Sequence, residues 1–251
     1  MRDARSKIGK VAVVTGAGRG IGHAHAHRLA REGATVIAVD RLPAPGLDAA
    51  LRDSGAADAD FHQLEVTDAD AVGDLSEAVL SKYGRCDILV NNAGTTKLQS
   101  FLDITIADLR WMMAVNLESV YLTCRAFLPR MVEHGYGRIV NTASTTFALA
   151  VPGHPHYIAS KGAVVGLTRG LASEFGAFGI TANCIAPGLT RTPITSELFS
   201  EGFDATAQAQ SIKRVGVPDD LVGAMSFLTS DDAAFITGQT IIVDGGLTRA
   251  M

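Results

Sequence analysis

Residues 10–39 hold the feature that most constrains this chain. Lys10-Val11-Ala12-Val13-Val14-Thr15 reads as a short buried strand, glycines follow at 16, 18, 20 and 22, and a helical pattern then runs through Leu29 and Ala30 and closes near Gly33. Thr35 to Val39 reads as a second strand. A strand, a glycine turn, a helix and a further strand at the very start commit the chain to a βαβ plan.

The alternation continues to the other end. Helical stretches are expected over 47–52, from the cap at Thr67-Asp68 to about Tyr83, over 106–133 with Pro129 bending or dividing it, within 155–178, and over 218–228. Strands are expected at 60–66, 87–90, 137–142, 180–185 and 239–243. The strands are nearly continuous apolar runs, which predicts a mainly parallel sheet with helices on both faces. With 251 residues, 47% hydrophobic and 19% charged, and no linker or repeat, the expectation is one doubly wound α/β domain over 1–251. The 187–216 region reads as irregular with helical stretches. Its 189–211 part is long for a connection and is the expected substrate cover.

Several function classes lose support at this level. A net charge of -4 gives no electrostatic case for nucleic acid or an acidic membrane surface. Trp111 and Tyr121 fit a buried helix or subunit face better than a base-stacking platform. Cys86, Cys124 and Cys184 are odd in number and far apart, so free thiols in a reducing compartment are expected. His23, His25 and His27 alternate, but no carboxylate or cysteine spacing supports a metal site; packed or solvated residues are expected. Met1 to Lys10 lacks an apolar leader run and no stretch reaches membrane-spanning length, so the expected location is the cytoplasm.

The chemistry-bearing residues fall at both ends of the pattern. Gly16-Ala17-Gly18-Arg19-Gly20-Ile21-Gly22 permits close approach of the backbone to a diphosphate at a helix N-terminus. Asp40, just past the second strand, is placed to receive the ribose hydroxyls of the adenosine half of a dinucleotide. Tyr157 and Lys161 are four apart and share a helix face. A lysine cation favours a phenolate, so Tyr157 can accept an alcohol's proton or return it to a carbonyl. Ser144 follows a strand and can hydrogen-bond the substrate oxygen.

Together these residues resemble the short-chain dehydrogenase/reductase family, from Lys10 to Gly246. Thr15-Gly16 through Gly22 is similar to the family's cofactor turn. Asn91-Asn92-Ala93-Gly94 is similar to the motif that steadies the central sheet near the cofactor, and Asn116, Ser144, Tyr157 and Lys161 to the catalytic tetrad. Pro187-Gly188 resembles the turn near the nicotinamide, and Thr192 a residue that contacts its carboxamide. The resemblance implies a Rossmann-like, seven-stranded parallel sheet in the order 3-2-1-4-5-6-7. It also implies a homotetramer or, less often, a dimer, with Asn116 holding a water that links Lys161 to solvent and Lys161 binding the nicotinamide ribose.

Two positions depart from common family usage. Glu65-Val66 stands where many members have Asp-Val at the adenine pocket, and Phe147 stands where many have a small residue. Phe147, Leu149, Leu189, Leu198 and Phe203 are the expected apolar walls of the substrate site, with His154, three before Tyr157, orienting a polar substituent or capping local structure. The resulting expectation is an NAD-dependent dehydrogenase acting on a secondary alcohol or hydroxy compound and its carbonyl. The rivals are an NADP-dependent carbonyl or 3-oxoacyl reductase, kept open by Arg19 and Arg41, and a noncatalytic dinucleotide-sensing protein.

Overall fold

The apolar runs become strands because each can bury both of its faces. In this computed structural model, which describes residues 6–248, β1 (Val11–Thr15), β2 (Thr35–Asp40), β3 (Asp58–Gln63), β4 (Ile88–Asn91), β5 (Gly137–Thr142), β6 (Ile180–Pro187) and β7 (Thr240–Val243) form one parallel sheet. Its order is β3-β2-β1-β4-β5-β6-β7, as the resemblance implied. The reading of Met1 to Lys10 falls partly outside the described residues, as do both ends of the 1–251 domain.

Helices follow the strands: α1 (Gly20–Arg31), α2 (Leu47–Asp53), α3 (Ala69–Tyr83), α4 (Ile106–Met113), α5 (Ser119–His134), α6 (Thr146–Leu149), α7 (Pro155–Phe175), α8 (Pro193–Leu198), α9 (Gly202–Ala209) and α10 (Asp219–Leu228). Alternation along each strand divides the core in two. Val11, Val13, Ile37, Val39 and Leu89 pack with Val79 of α3, Phe127 of α5 and Val164 of α7. Ala12, Val14, Val36, Ala38 and Val90 pack with Leu29 of α1, Leu51 of α2 and Met225 of α10. Each fully buried Leu, Val or Phe contributes about 1.5–3 kcal/mol, so the sheet is clamped from both sides at its central strands, while β3 and β7 at its edges are only partly covered.

Two differences from expectation bear on the site. The third strand ends at Gln63, earlier than the expected 66, and Glu65-Val66 follows it in a loop tied back by Leu64 N–H donating to Asp40 O at 3.0 Å. The long helical region divides at a π turn over Ala114–Glu118, whereas Pro129 lies inside α5. Side-chain competition explains the place of the break. Asn116 Oδ1 accepts from Thr95 N–H at 2.8 Å, and its Nδ2 donates to Thr95 O at 3.0 Å and Ser160 Oγ at 2.9 Å. These bonds draw residue 116 inward, and a widened turn accommodates the displacement.

A buried polar chain registers the strand ends that carry the site. Asn91 Nδ2 donates to Asn141 Oδ1 at 2.8 Å, Asn141 Nδ2 to Thr168 Oγ1 at 2.9 Å, and Thr123 Oγ1 to Asn91 Oδ1 at 2.7 Å. It joins β4, β5, α5 and α7, and breaking one link would strand the next polar group in the core. The three cysteines are free and buried. No described helix is long and apolar enough to cross a membrane.

Candidate active site

The carboxyl ends of β1, β2, β4, β5 and β6 open onto a cleft of about 330 Å³. That is where the order of a doubly wound sheet reverses, between β1 and β4. Gly16 begins the turn with φ +65°, and a side chain there would meet Asn92 Nδ2 at 2.9 Å and Ala93 Cα at 3.0 Å. At Gly22 an added Cβ would fall 2.1 Å from the Gly16 carbonyl oxygen. The turn therefore folds flat against the Asn92-Ala93 backbone. Arg19 caps α1 with extended backbone and makes no side-chain cap bond, so the first amides of α1 keep free N–H groups toward the cleft.

Asp40 stands at the other end of this cradle, 9% exposed. Its Oδ2 accepts from Gly18 N–H at 2.9 Å and its Oδ1 from Leu42 N–H at 3.0 Å. Both bonds fix the carboxylate in place and leave lone pairs for a ligand. Arg19 and Arg41 line the same cleft, and among the described residues neither forms an ion pair. The cradle has the shape and donors for a dinucleotide: bare glycine backbone, a helix N-terminus and a fixed acceptor.

At the reacting end, Ser144 follows β5 while Tyr157 and Lys161 stand one turn apart on α7, and all three line the cleft. Ser144 Oγ accepts from Thr146 Oγ1 at 3.0 Å and Thr146 N–H at 3.3 Å, which holds it toward the cleft. Lys161 Nζ donates to Thr142 O at 2.8 Å and lies 6.0 Å from the centre of the Tyr157 ring. Burial lowers Lys161 to about 8. Burial also raises Tyr157 above its usual 10, with the Ser144 hydrogen bond opposing. The lowering expected from a nearby lysine does not appear: burial of the phenolate dominates, and the Lys161 ammonium stands 6.0 Å from the ring centre. Asn116 is fully buried behind the cleft, and Gly94 separates it from Lys161.

Of the expected cofactor residues, Gly16, Arg19, Gly20, Ile21, Asp40, Glu65, Val66, Asn92, Ala93, Gly94, Pro187, Gly188 and Thr192 line the cleft. Gly18 and Gly22 lie just behind it, as the second layer of the turn. The expected substrate walls are more dispersed. Phe147 packs against the α5–α7 side of the core, Leu149 and Leu198 are over a third exposed, and Phe203 is buried under the Arg191 guanidinium, 4.7 Å from its ring. Leu189 and His154 also lie outside the cleft lining. The wall near Ser144 is instead rich in hydroxyls: Thr95, Thr96, Thr190 and Thr195, with Ile194 and Trp111. Trp111, expected on a buried helix or a subunit face, is 46% exposed and lines the cleft. Its position on α4 depends on the π turn, which no local sequence pattern announced. Thr190 and Thr195 had a signal in the residues flanking Thr192. Phe199 was also missed; its ring lies 5.3 Å from that of His154.

Of the three histidines after the turn, His23 and His27 are half-buried with their ring centres 4.4 Å apart. His25 is buried and lowered to about 4 by desolvation, and His27 Nδ1 is bonded to Ser54 Oγ at 2.9 Å.

Comparison with known proteins places the chain among dehydrogenases and reductases. A family model described as Enoyl-(Acyl carrier protein) reductase matches residues 16–248. The chain is 40% identical to the 3-oxoacyl-(acyl-carrier-protein) reductase of Haemophilus influenzae, over 95% of this chain and 98% of that protein. It is 39% identical to the D-threitol dehydrogenase of Mycolicibacterium smegmatis, over 96% and 93%. Its fold matches a solved candidate NAD(P)-dependent gluconate 5-dehydrogenase of Beutenbergia cavernae, which holds NADP at low occupancy. The TM-score is 0.92 and the identity 36%, covering 98% of this chain and 99% of that one.

Proposed function

The chain belongs to the short-chain dehydrogenase/reductase family, and on that premise we propose that it is an NAD-preferring dehydrogenase that interconverts a secondary alcohol or hydroxy compound with its carbonyl. The observation that carries this reading is the convergence of Ser144, Tyr157 and Lys161 on the cleft that also holds the glycine cradle and Asp40. The bound dinucleotide supplies or takes up the hydride at the substrate carbon.

Each side chain then has a task. Tyr157 holds the moving proton at its hydroxyl. Its raised pKa favours the phenol, the form that donates to a carbonyl oxygen. Lys161, near 8, stays mostly protonated at neutral pH and supplies the positive charge that the phenolate needs when an alcohol is oxidised. Ser144 fixes the substrate oxygen against Tyr157. Lys161 and Thr192 bind the nicotinamide side, and Asn116 positions the backbone at Thr95 and the start of α7. The 189–211 segment, containing α8 and α9, covers the substrate.

NAD preference rests on Asp40. Its carboxylate is already fixed by two amides, so it cannot swing away from the extra phosphate of NADP, and like charges meet in a partly dry cleft. Arg19 and Arg41, which form no ion pair among the described residues, favour a second reading, an NADP-dependent carbonyl or 3-oxoacyl reductase. Comparing kcat/KM for both dinucleotides separates the two. The unaltered protein is expected to favour NAD, and Asp40→Ala to lose about tenfold of that preference, of the order of one hydrogen-bonded charge contact. Equal use of both by the unaltered protein would reject the reading.

The same reading places the protein in the cytoplasm as a homotetramer. Exposed apolar side chains on α4 and α5 (Ile106, Trp111, Tyr121) and near the last strand (Phe227, Phe235) support subunit contacts at two faces.

A further inference from the structure

The catalytic helix α7 puts two stripes of residues to different use. Tyr157 and Lys161 line the cleft, while His156 and Ser160, also four apart, are buried, 3% and 0% exposed. The second stripe adjoins residues 95–99, the segment after β4 that brings Thr95 and Thr96 to the cleft wall. Asn116 joins Ser160 to Thr95, and Gln99 N–H donates to Gly153 O at 2.8 Å, three residues before His156. The segment is also tied to α4. Lys97 Nζ pairs with Asp108 at 2.7 Å, and Gln99 Nε2 donates to Asp103 O at 2.7 Å and to Asp108 Oδ2 at 3.3 Å. The seam between these pieces holds unmet polar groups. Of the nine sealed side-chain polar atoms without a partner among the described residues, four belong here: both ring nitrogens of His156, Gln99 Oε1 and Thr96 Oγ1. Each left so costs about 1–3 kcal/mol. Their chemistry is complementary. A neutral imidazole has an N–H and a bare nitrogen, the Gln99 oxygen accepts, and the hydroxyl does both. A buried water, which suits about three polar partners, can join them.

We propose that His156 is a positioning residue for the reaction: in its neutral form it holds the 95–99 wall against the catalytic helix through one bound water, and its protonation releases that wall. The inference rests on the dehydrogenase reading above and adds to it a group that touches no reacting atom. An imidazolium has two N–H donors and no acceptor, so it cannot serve both sides of the seam. Burial holds His156 below its usual 6.5, with Asp108 of α4 opposing and His154 of the α7 start and Lys97 of the segment adding to the lowering. Asp108 is itself held well below the carboxylate range by Lys97 and Thr105, so it stays charged while the imidazole titrates. Release of the wall below pH 6.5 takes Thr95 and Thr96 from their places beside Tyr157. The chemical step has no such acid limb in the direction of carbonyl reduction, because Tyr157 is a phenol throughout that range.

The test follows two readouts from pH 7.5 to pH 5. Three proteins are compared: the unaltered one, His156→Gln, whose carboxamide keeps a donor and an acceptor but does not titrate, and His156→Leu, which keeps neither. The first readout is the hydrogen-exchange protection of the Thr95 and Gln99 amides, which needs no turnover. The second is kcat/KM for reduction of the best of a panel of ketones, cyclohexanone included, with NADH. As the pH falls, the unaltered protein is expected to lose at least about threefold in both, and His156→Gln to hold both nearly constant. His156→Leu is expected to show the low values at either pH, and should it not fold, His156→Gln still decides. An acid loss of equal size in His156→Gln overturns the inference, because the titrating group then lies elsewhere. So does protection in the unaltered protein that ignores pH. Absence of reduction with either dinucleotide, beside protection that follows the expected pattern, rejects the dehydrogenase reading while the tie between His156 and the wall stands, so the two failures are distinct.

Discussion

The two ends of the sheet are built from similar residues and put them to opposite use. At the amino ends of the strands, Arg138 is buried with its guanidinium donating to the carbonyls of Ser230, Gly137 and Gly179 and lying 4.3 Å from the Tyr136 ring. Lys10 covers the same ring at 3.4 Å, and the Tyr136 hydroxyl donates to Asp231 at 3.1 Å. Asp87 accepts from Val11 N–H at 2.9 Å and pairs with Arg85. These groups spend their hydrogen-bonding capacity on the protein itself. At the carboxyl ends, Asp40, Ser144, Tyr157 and Lys161 are held just as firmly but keep lone pairs or protons unspent. A buried charge is a fastener where its partners are complete and a reagent where they are not.

Substitutions that act on one end only test this contrast. The largest effect is expected from Tyr157→Phe. It removes one hydroxyl at the cleft and should lower kcat by at least about 100-fold, in the range of a lost general acid–base, with dinucleotide affinity and thermal midpoint nearly unchanged. Steady-state rates beside a melting curve check it, and near-normal turnover would end the assignment. Next is Arg138→Ala at the opposite end. It leaves three backbone carbonyls short of a donor and should cost about 3 kcal/mol in urea unfolding, while the folded fraction keeps its kcat. A large fall in kcat with stability intact would dissolve the contrast between the ends.

The smallest effect concerns Lys7, buried near the same end with its Nζ donating to Ser226 O at 3.2 Å. Burial lowers it from 10.5 to about 8, against the opposing pull of Glu32. Between about pH 8 and 10.5 the unfolded chain therefore holds more proton than the folded one, and stability rises with pH. Below pH 8 that contribution is lost. Discounted for solvent screening, the gain is about 1–2 kcal/mol. Lys7→Met should flatten this rise relative to the unaltered protein in unfolding curves taken at pH 7.5 and 10. An identical slope in both would place the lysine in a wetter setting than its contacts imply.

Legibility in the sequence followed the range of the interaction. The glycine turn, the Asp68 cap of α3, the strands other than the third and the Tyr157–Lys161 spacing are set by neighbours a few residues apart, and they stand close to their expected bounds. The break in the long helical region was expected at Pro129, the local breaker, but fell at Asn116, whose partners Thr95 and Ser160 are 21 and 44 residues away. Distant contacts decided the substrate side too. Phe147 reads as a pocket wall from its distance to Ser144, yet its ring turns to the core. Phe199 meets His154 across a gap in sequence that no periodicity spans. The cofactor end is a βαβ unit and so is nearly local; the substrate end is assembled from the β5–α7 connection and the covering segment.

The π turn at Ala114–Glu118 has a further implication when viewed as a length of chain. A π turn is, geometrically, one surplus residue inside a continuous helix. Deleting a single residue there would let α4 and α5 fuse into a regular helix, an outcome that helix propensity alone would favour. The fusion would also rotate α4 by about 100° about its axis, one residue's worth of helical twist. Trp111 would swing off the cleft mouth, and Asn116 would release the Thr95 backbone. The extra residue thus acts as a shim: it is thermodynamically awkward where it lies, and it sets the angular phase of everything upstream of it.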